Sequence, residues 1–321
     1  MVSTRGCTGS LKPCGEPGVL LHPNPDFMRT LTPLVVAVFA SHVVAAQDHM
    51  HEMGHMPAAA TAKALQQIKD VQQATEPLAS IDGARLAGFT PVFGWIPTMG
   101  THWVSASRML IGKGSKLDEP SQLMFSPING KQTLVGAAFS YYSAPNDTTR
   151  PTTFDGNPPW HDHPDLSPPG TDLVMLHVWF VPSPDGPFAG HNPFLPFWAA
   201  GLTPPDTALM HDDAFNLRVR RAALALGEAA DSSGVFPTLA RRPAVKAALD
   251  EHRAMVRALV PQVEAATKAK DVTKLNALMV ELGGHWDKMS DIYFASAIRP
   301  ESKVRMQKLI DDMLRVGGGH H

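Results

Sequence analysis

The sequence predicts an α+β fold, an antiparallel β-rich domain followed by an α-helical, bundle-like C-terminal region. Two observations carry this. Residues 61–205 contain short apolar runs separated by turn residues, and the 14 prolines from Pro145 to Pro205 forbid long helices there. After Pro205 the composition shifts to Ala, Leu, Lys, Arg and Glu with apolar residues at helical spacing. A length of 321 residues suits one large or two ordinary domains with a substantial core.

The elements follow in order. Ala62 to Thr75 reads as a short amphipathic helix on Leu65, Ile68 and Val71, halted by Pro77. Val92–Ile96 and Ala106–Ile111 are short strand candidates. Gln122–Ile128 and Gln132–Tyr142 flank Asn129-Gly130, the strongest short hairpin signal. Asp172 to Val181 is near-continuously apolar and of strand length, which places it in the middle of a sheet. Residues 206–317 then supply four helices: Asp213–Ala230, Pro243–Lys268 with a break near Pro261, Val272–Ala295 and Pro300–Val316. Asp271 caps the third, and Leu275, Leu278, Met279, Leu282, Trp286, Met289 and Tyr293 form its apolar stripe. Residues 318–321 are a tail.

The N-terminal region is read differently. Met28-Arg29-Thr30 opens a basic segment, Leu34–Ala40 is apolar but too short to span a bilayer, and Val44-Ala45-Ala46 is a small-residue cleavage site. Residues 28–46 are therefore expected to be a secretory signal peptide, and residues 1–27 an over-called start. Cleavage before Gln47 removes three basic and two acidic residues, moving the net charge from −2 to −3. That balance argues against a nucleic-acid partner. Both cysteines, Cys7 and Cys14, are lost as well, so the exported chain has no disulfide or thiolate. No other long apolar segment follows, and the exported protein is expected to be soluble in the periplasm or outside the cell.

Histidine and methionine dominate what remains. Residues 47–60 hold a flexible tract containing His49, Met50, His51, Met53, His55 and Met56. Imidazole suits Cu(II) and thioether selects Cu(I), so such a tract can follow copper through both oxidation states. The tract resembles His/Met-rich segments of periplasmic copper-handling and copper-resistance proteins.

A second constellation lies in the β-rich domain. His161 and His163 form an H-x-H in an extended, Pro-flanked segment, which projects both imidazoles to one side. His177 stands mid-strand on the face of Met175 and Trp179, and His102 and His191 are further candidates. Three imidazoles and an exchangeable water are enough for an open zinc or copper site. The H-x-H resembles the opening of a cupin metal site, but Asp165 and Leu166 stand where its glutamate is expected, so no cupin is assigned. Pro97-Thr98-Met99-Gly100-Thr101-His102-Trp103 resembles a P-x-M-G-x-H-W motif of uncharacterised secreted bacterial proteins. Those proteins also carry a later His-containing strand ending in a P-x-G turn, here His177 to Gly186. The resemblance implies a compact secreted domain over residues 88–200.

On the helices, His285 lies near Glu281 and Met289, and His252 precedes Met255. These read as core and bundle-edge residues, with His285 hydrogen-bonded at that edge. No nucleophile elbow, H-E-x-x-H, phosphate loop, dinucleotide fingerprint or C-x-x-C-H is present. The expected function is metal binding, with copper favoured and zinc possible, serving sequestration or resistance. The alternatives are a His-ligated zinc or copper enzyme, and a metal-free module whose Pro193–Trp198 run lines a cleft for an apolar ligand; the favoured use of that run is to pack the helical domain onto the sheet.

Overall fold

The computed structural model describes residues 60–92, 94–110, 112–163, 166–230 and 234–316. The α+β expectation is met: an antiparallel sheet in the first half and a helical assembly in the second. The sheet has six strands among the described residues: β1 (Thr90–Pro91), β2 (Thr101–Val104), β3 (Gln122–Ile128), β4 (Lys131–Ser143), β5 (His161–His163) and β6 (Asp172–Trp179). Their order is β1-β2-β3-β4-β6-β5, with every pair antiparallel. Asn129 and Gly130 both take positive φ in the β3–β4 turn, as a tight hairpin requires. The apolar run of β6 is explained by its place between β4 and β5.

Helix α1 (Ala62–Thr75) starts where the Thr61 hydroxyl accepts from the Ala64 N–H. Its buried residues Ala64, Ile68 and Val71 pack on one face of the sheet, against Phe139, Tyr141, Val174, Leu176 and Val178. A turn containing Pro77 ends it, and α2 (Ile81–Leu86) follows.

Two expected strands are corrected. Ala106–Met109 is a helical turn, α3, with Met109 buried but Leu110 79% exposed, so the segment has no alternating inner face to lay on a sheet. Strand pairing in the Val92–Ile96 region falls instead on Thr90–Pro91, while Ile96 forms a lone bridge to Gly100. The chain has to reverse there to enter β2. Gly100 makes the reversal, at φ +75°, where an added Cβ would stand 2.7 Å from the Phe125 carbonyl oxygen.

The second half contains α4 (Leu195–Ala199), α5 (Asp213–Ala229), α6 (Pro237–Ala240), α7 (Pro243–Ala269), α8 (Val272–Ser296) and α9 (Pro300–Leu314). The expected cap holds: the Asp271 carboxylate accepts from the Lys274 N–H. The expected break at Pro261 does not occur. Helix α7 runs through it because Val256, Leu259 and Val263 on both sides stay buried in one core, which outweighs the missing backbone donor.

Inside the bundle Glu228 is fully buried, and its carboxylate accepts from the Arg253 guanidinium (2.9 Å) and the Tyr293 hydroxyl (2.8 Å). Burial and the Glu228 charge raise the Tyr293 pKa, so the phenol stays protonated.

Helix α4 joins the two halves. Leu195 packs with Met124 and Trp179 of the sheet, while Phe194 and Phe197 enter the helical core. The Pro193–Trp198 run is therefore spent on packing, with Phe194, Leu195 and Phe197 buried. A second tie is the buried ion pair between Arg220 of α5 and Asp185, in the turn after β6. No helix among the described residues is long and apolar enough to cross a membrane.

Candidate metal centre

Strand register decides which side chains meet. His102 stands opposite Met124, Met124 opposite Gly136, and Gly136 opposite Trp179. His177 stands opposite Ala138, while His161 and His163 stand opposite Met175 and Leu173. With side chains alternating between faces, His102, His161, His163 and His177 share one face together with Met124, Met175 and Gln122. The opposite face holds the apolar residues that pack under α1 and α2, among them Trp103, Leu123 and Phe125.

The four imidazoles form a continuous group. The Nε2 atoms of His102 and His177 lie 3.3 Å apart. Ring centroids are separated by 5.5 Å for His102–His177, 5.3 Å for His161–His177 and 4.8 Å for His161–His163. His102, His161 and His177 are buried and His163 is half-buried. The His161 Nδ1 lies 3.4 Å from the Pro159 carbonyl oxygen. A carbonyl only accepts, so Nδ1 carries the proton and Nε2 keeps its lone pair, the tautomer a metal ligand needs.

Burial holds three of these rings, His102, His161 and His163, neutral. It pushes the pKa of His102 and of His161 down to about 4. His163 is driven well below its ordinary value, first by burial and then by the charges of His161, His102 and His191. A neutral imidazole donates a lone pair, so the environment favours the ligating form at neutral pH.

The segment around His102 positions the rest. Gly227 of α5 packs directly on Pro97, whose Cβ would lie 2.5 Å from a Cβ added there. The Thr98 hydroxyl is 2.9 Å from Nδ1 of His191, and the Thr98 carbonyl accepts from the Asn192 N–H at 2.7 Å. His191 is buried, its pKa lowered to about 3 by burial first, then by Arg220, His161, Arg315 and His102. The P-x-M-G-x-H-W stretch thus places a histidine, anchors a second one and turns the chain, while Trp103 fills the opposite core.

Two tetrahedral ligands at about 2.0–2.1 Å from an ion stand about 3.3–3.4 Å apart, the separation of the His102 and His177 nitrogens. The spacing matches two ligands on one ion, and it is equally that of a hydrogen bond between the two imidazoles. Among the described residues, however, no three His, Cys, Asp or Glu side chains are arranged to hold an ion as they stand. A third nitrogen for an ion would require rotation of a neighbouring imidazole, His161 being next to His177.

Of the expected ligands, His102, His161, His163 and His177 are brought together, with His191 alongside. His49, Met50, His51, Met53, His55 and Met56 lie outside the described residues, as do the signal peptide and the tail from residue 318. Sequence reading misses Met124 and Thr98. Parity along a strand tells which side chains share its face, but not that β3 lies beside β2 or that residue 98 meets residue 191. Comparison with protein-family models, curated proteins and solved structures finds no match to this chain.

Proposed function

We propose that this protein binds a transition-metal ion, copper in the first place and zinc as a competitor, and that it serves sequestration or resistance outside the cytoplasm. The observation that supports this most directly is the His102–His177 nitrogen pair at 3.3 Å, with His161 and His163 on the same buried face. Met124 and Met175 on that face add thioether donors suited to Cu(I), while imidazole accommodates Cu(II) and Zn(II). Burial of the donors favours holding an ion over turning over a substrate, since it slows exchange. The tract at His49–Met56 is a second, independent binder in this reading. Its position ahead of α1 gives the exported form an acquisition arm.

Equilibrium dialysis against Cu(I), Cu(II) and Zn(II) tests the reading on the full chain, on a variant lacking residues 47–57, and on His102→Ala and His177→Gln. The expected result is that the tract deletion retains the buried copper equivalent, while each point variant loses that equivalent and keeps only what the tract binds. Substoichiometric binding by the full chain would overturn the proposal. Retention of the buried equivalent by both histidine variants would remove the buried site from it.

A further inference from the structure

A separate pair of histidines lies on the helical half, away from the sheet. His252 of α7 and His285 of α8 are 33 residues apart in sequence, yet their Nδ1 atoms approach to 3.3 Å. The rings are 5.5 Å apart at 54° to each other, and both are half-buried. The hydrogen bond expected of His285 at the bundle edge is present, and its partner is a second imidazole. The residues about one turn to either side are buried in the core: Leu249 and Val256 around His252, and Leu282 and Met289 around His285.

We propose that His252 and His285 form a two-histidine clip for one divalent transition cation of the Zn(II), Ni(II) or Cu(II) class, fastening α7 to α8. The separation equals the spacing of two imidazole ligands on a tetrahedral ion, about 3.3–3.4 Å. Without an ion the two Nδ1 atoms have one proton between them at best, since two protonated nitrogens at this distance repel. An ion accepts both lone pairs at once. The partial exposure of both rings lets an ion enter from solvent and leaves its other positions to water. Glu281, one turn before His285 and near enough for its charge to favour protonation of that ring, is the carboxylate best placed to take one of them. A bound ion also crosslinks two helices of the folded chain, so binding stabilises the native state in proportion to occupancy.

Zinc sulfate alone is the probe, titrated calorimetrically into the full-length chain and into His252→Ala, His285→Ala and His252→Asn, with melting temperatures recorded with and without zinc. His252→Asn keeps a side chain able to hydrogen-bond His285 but removes the ligand. The expected result is the loss of one zinc equivalent in each variant, together with loss of part of the zinc-induced rise in melting temperature. Because both rings are at the bundle edge, the variants should melt cooperatively without zinc. Unchanged stoichiometry and an unchanged zinc-induced rise in all three would overturn the clip. The His102→Ala variant separates this outcome from the buried centre: it should lose a different equivalent and keep the one that His285→Ala loses.

Discussion

Acid should destabilise this protein through its buried histidines, beginning as the pH falls below about 6.5. In the unfolded chain a histidine takes up a proton near pH 6.5. In the folded chain His102 and His161 wait until about pH 4 and His191 until about pH 3, because burial strips the charged form of its hydration. Between those limits the unfolded state holds more protons, so stability is complete above pH 6.5 and falls as the pH drops toward 4. At pH 5 each group costs about 2 kcal/mol by this linkage, or about 6 kcal/mol for the three. That is comparable with the whole stability of an ordinary domain, about 5–15 kcal/mol.

Urea unfolding of metal-free protein in EDTA, followed by tryptophan fluorescence at half-unit steps from pH 7.5 to 4.5, measures it. The slope below pH 6 should correspond to an uptake of two to three protons on unfolding, and His102→Gln should lower it by about one. Asp147, which Lys113 and Thr149 hold far below the usual carboxylate range, loses its contribution only under pH 4 and does not confuse the window. An uptake of less than one proton between pH 6 and 5 would show that these imidazoles reach water or a partner in the folded state, and would refute the reasoning.

Three other outcomes follow from packing. Gly136→Ala should cost about 1–3 kcal/mol in urea unfolding, since its Cβ would lie 2.6 Å from both the Met124 methyl and the Val178 carbonyl oxygen. Gly227→Ala should destabilise by a similar amount despite the better helix propensity of alanine, because Pro97 already occupies the space. Glu228→Ala should lower stability by about 3–5 kcal/mol, readable in a thermal melt, because it leaves the Tyr293 hydroxyl without its acceptor and the Arg253 guanidinium with only its 3.3 Å pair to Asp250. A loss under 1 kcal/mol there would mean that water replaces the carboxylate.

Several features were legible in the chain because they are local. The Asn129-Gly130 turn, the Asp271 cap and the bounds of α1 each depend on a few neighbouring residues. The Ala106–Met109 misreading has the same origin. An apolar segment of that length fits a strand or a helical turn equally well, and only the neighbours decide.

The functional clusters divide in the same way. Sequence alone named His102, His161, His163, His177 and His191 as candidates, and the period of two put His161 with His163 and His177 with Met175. It also marked β6 as a central strand through its unbroken apolar run. Only tertiary structure brought His102 to within 3.3 Å of His177, 75 residues away, and joined His252 to His285 across two helices. Periodicity assigns a side chain to a face, but neighbours across a sheet or a bundle are chosen by burying every apolar face at once. That condition is a property of the whole chain.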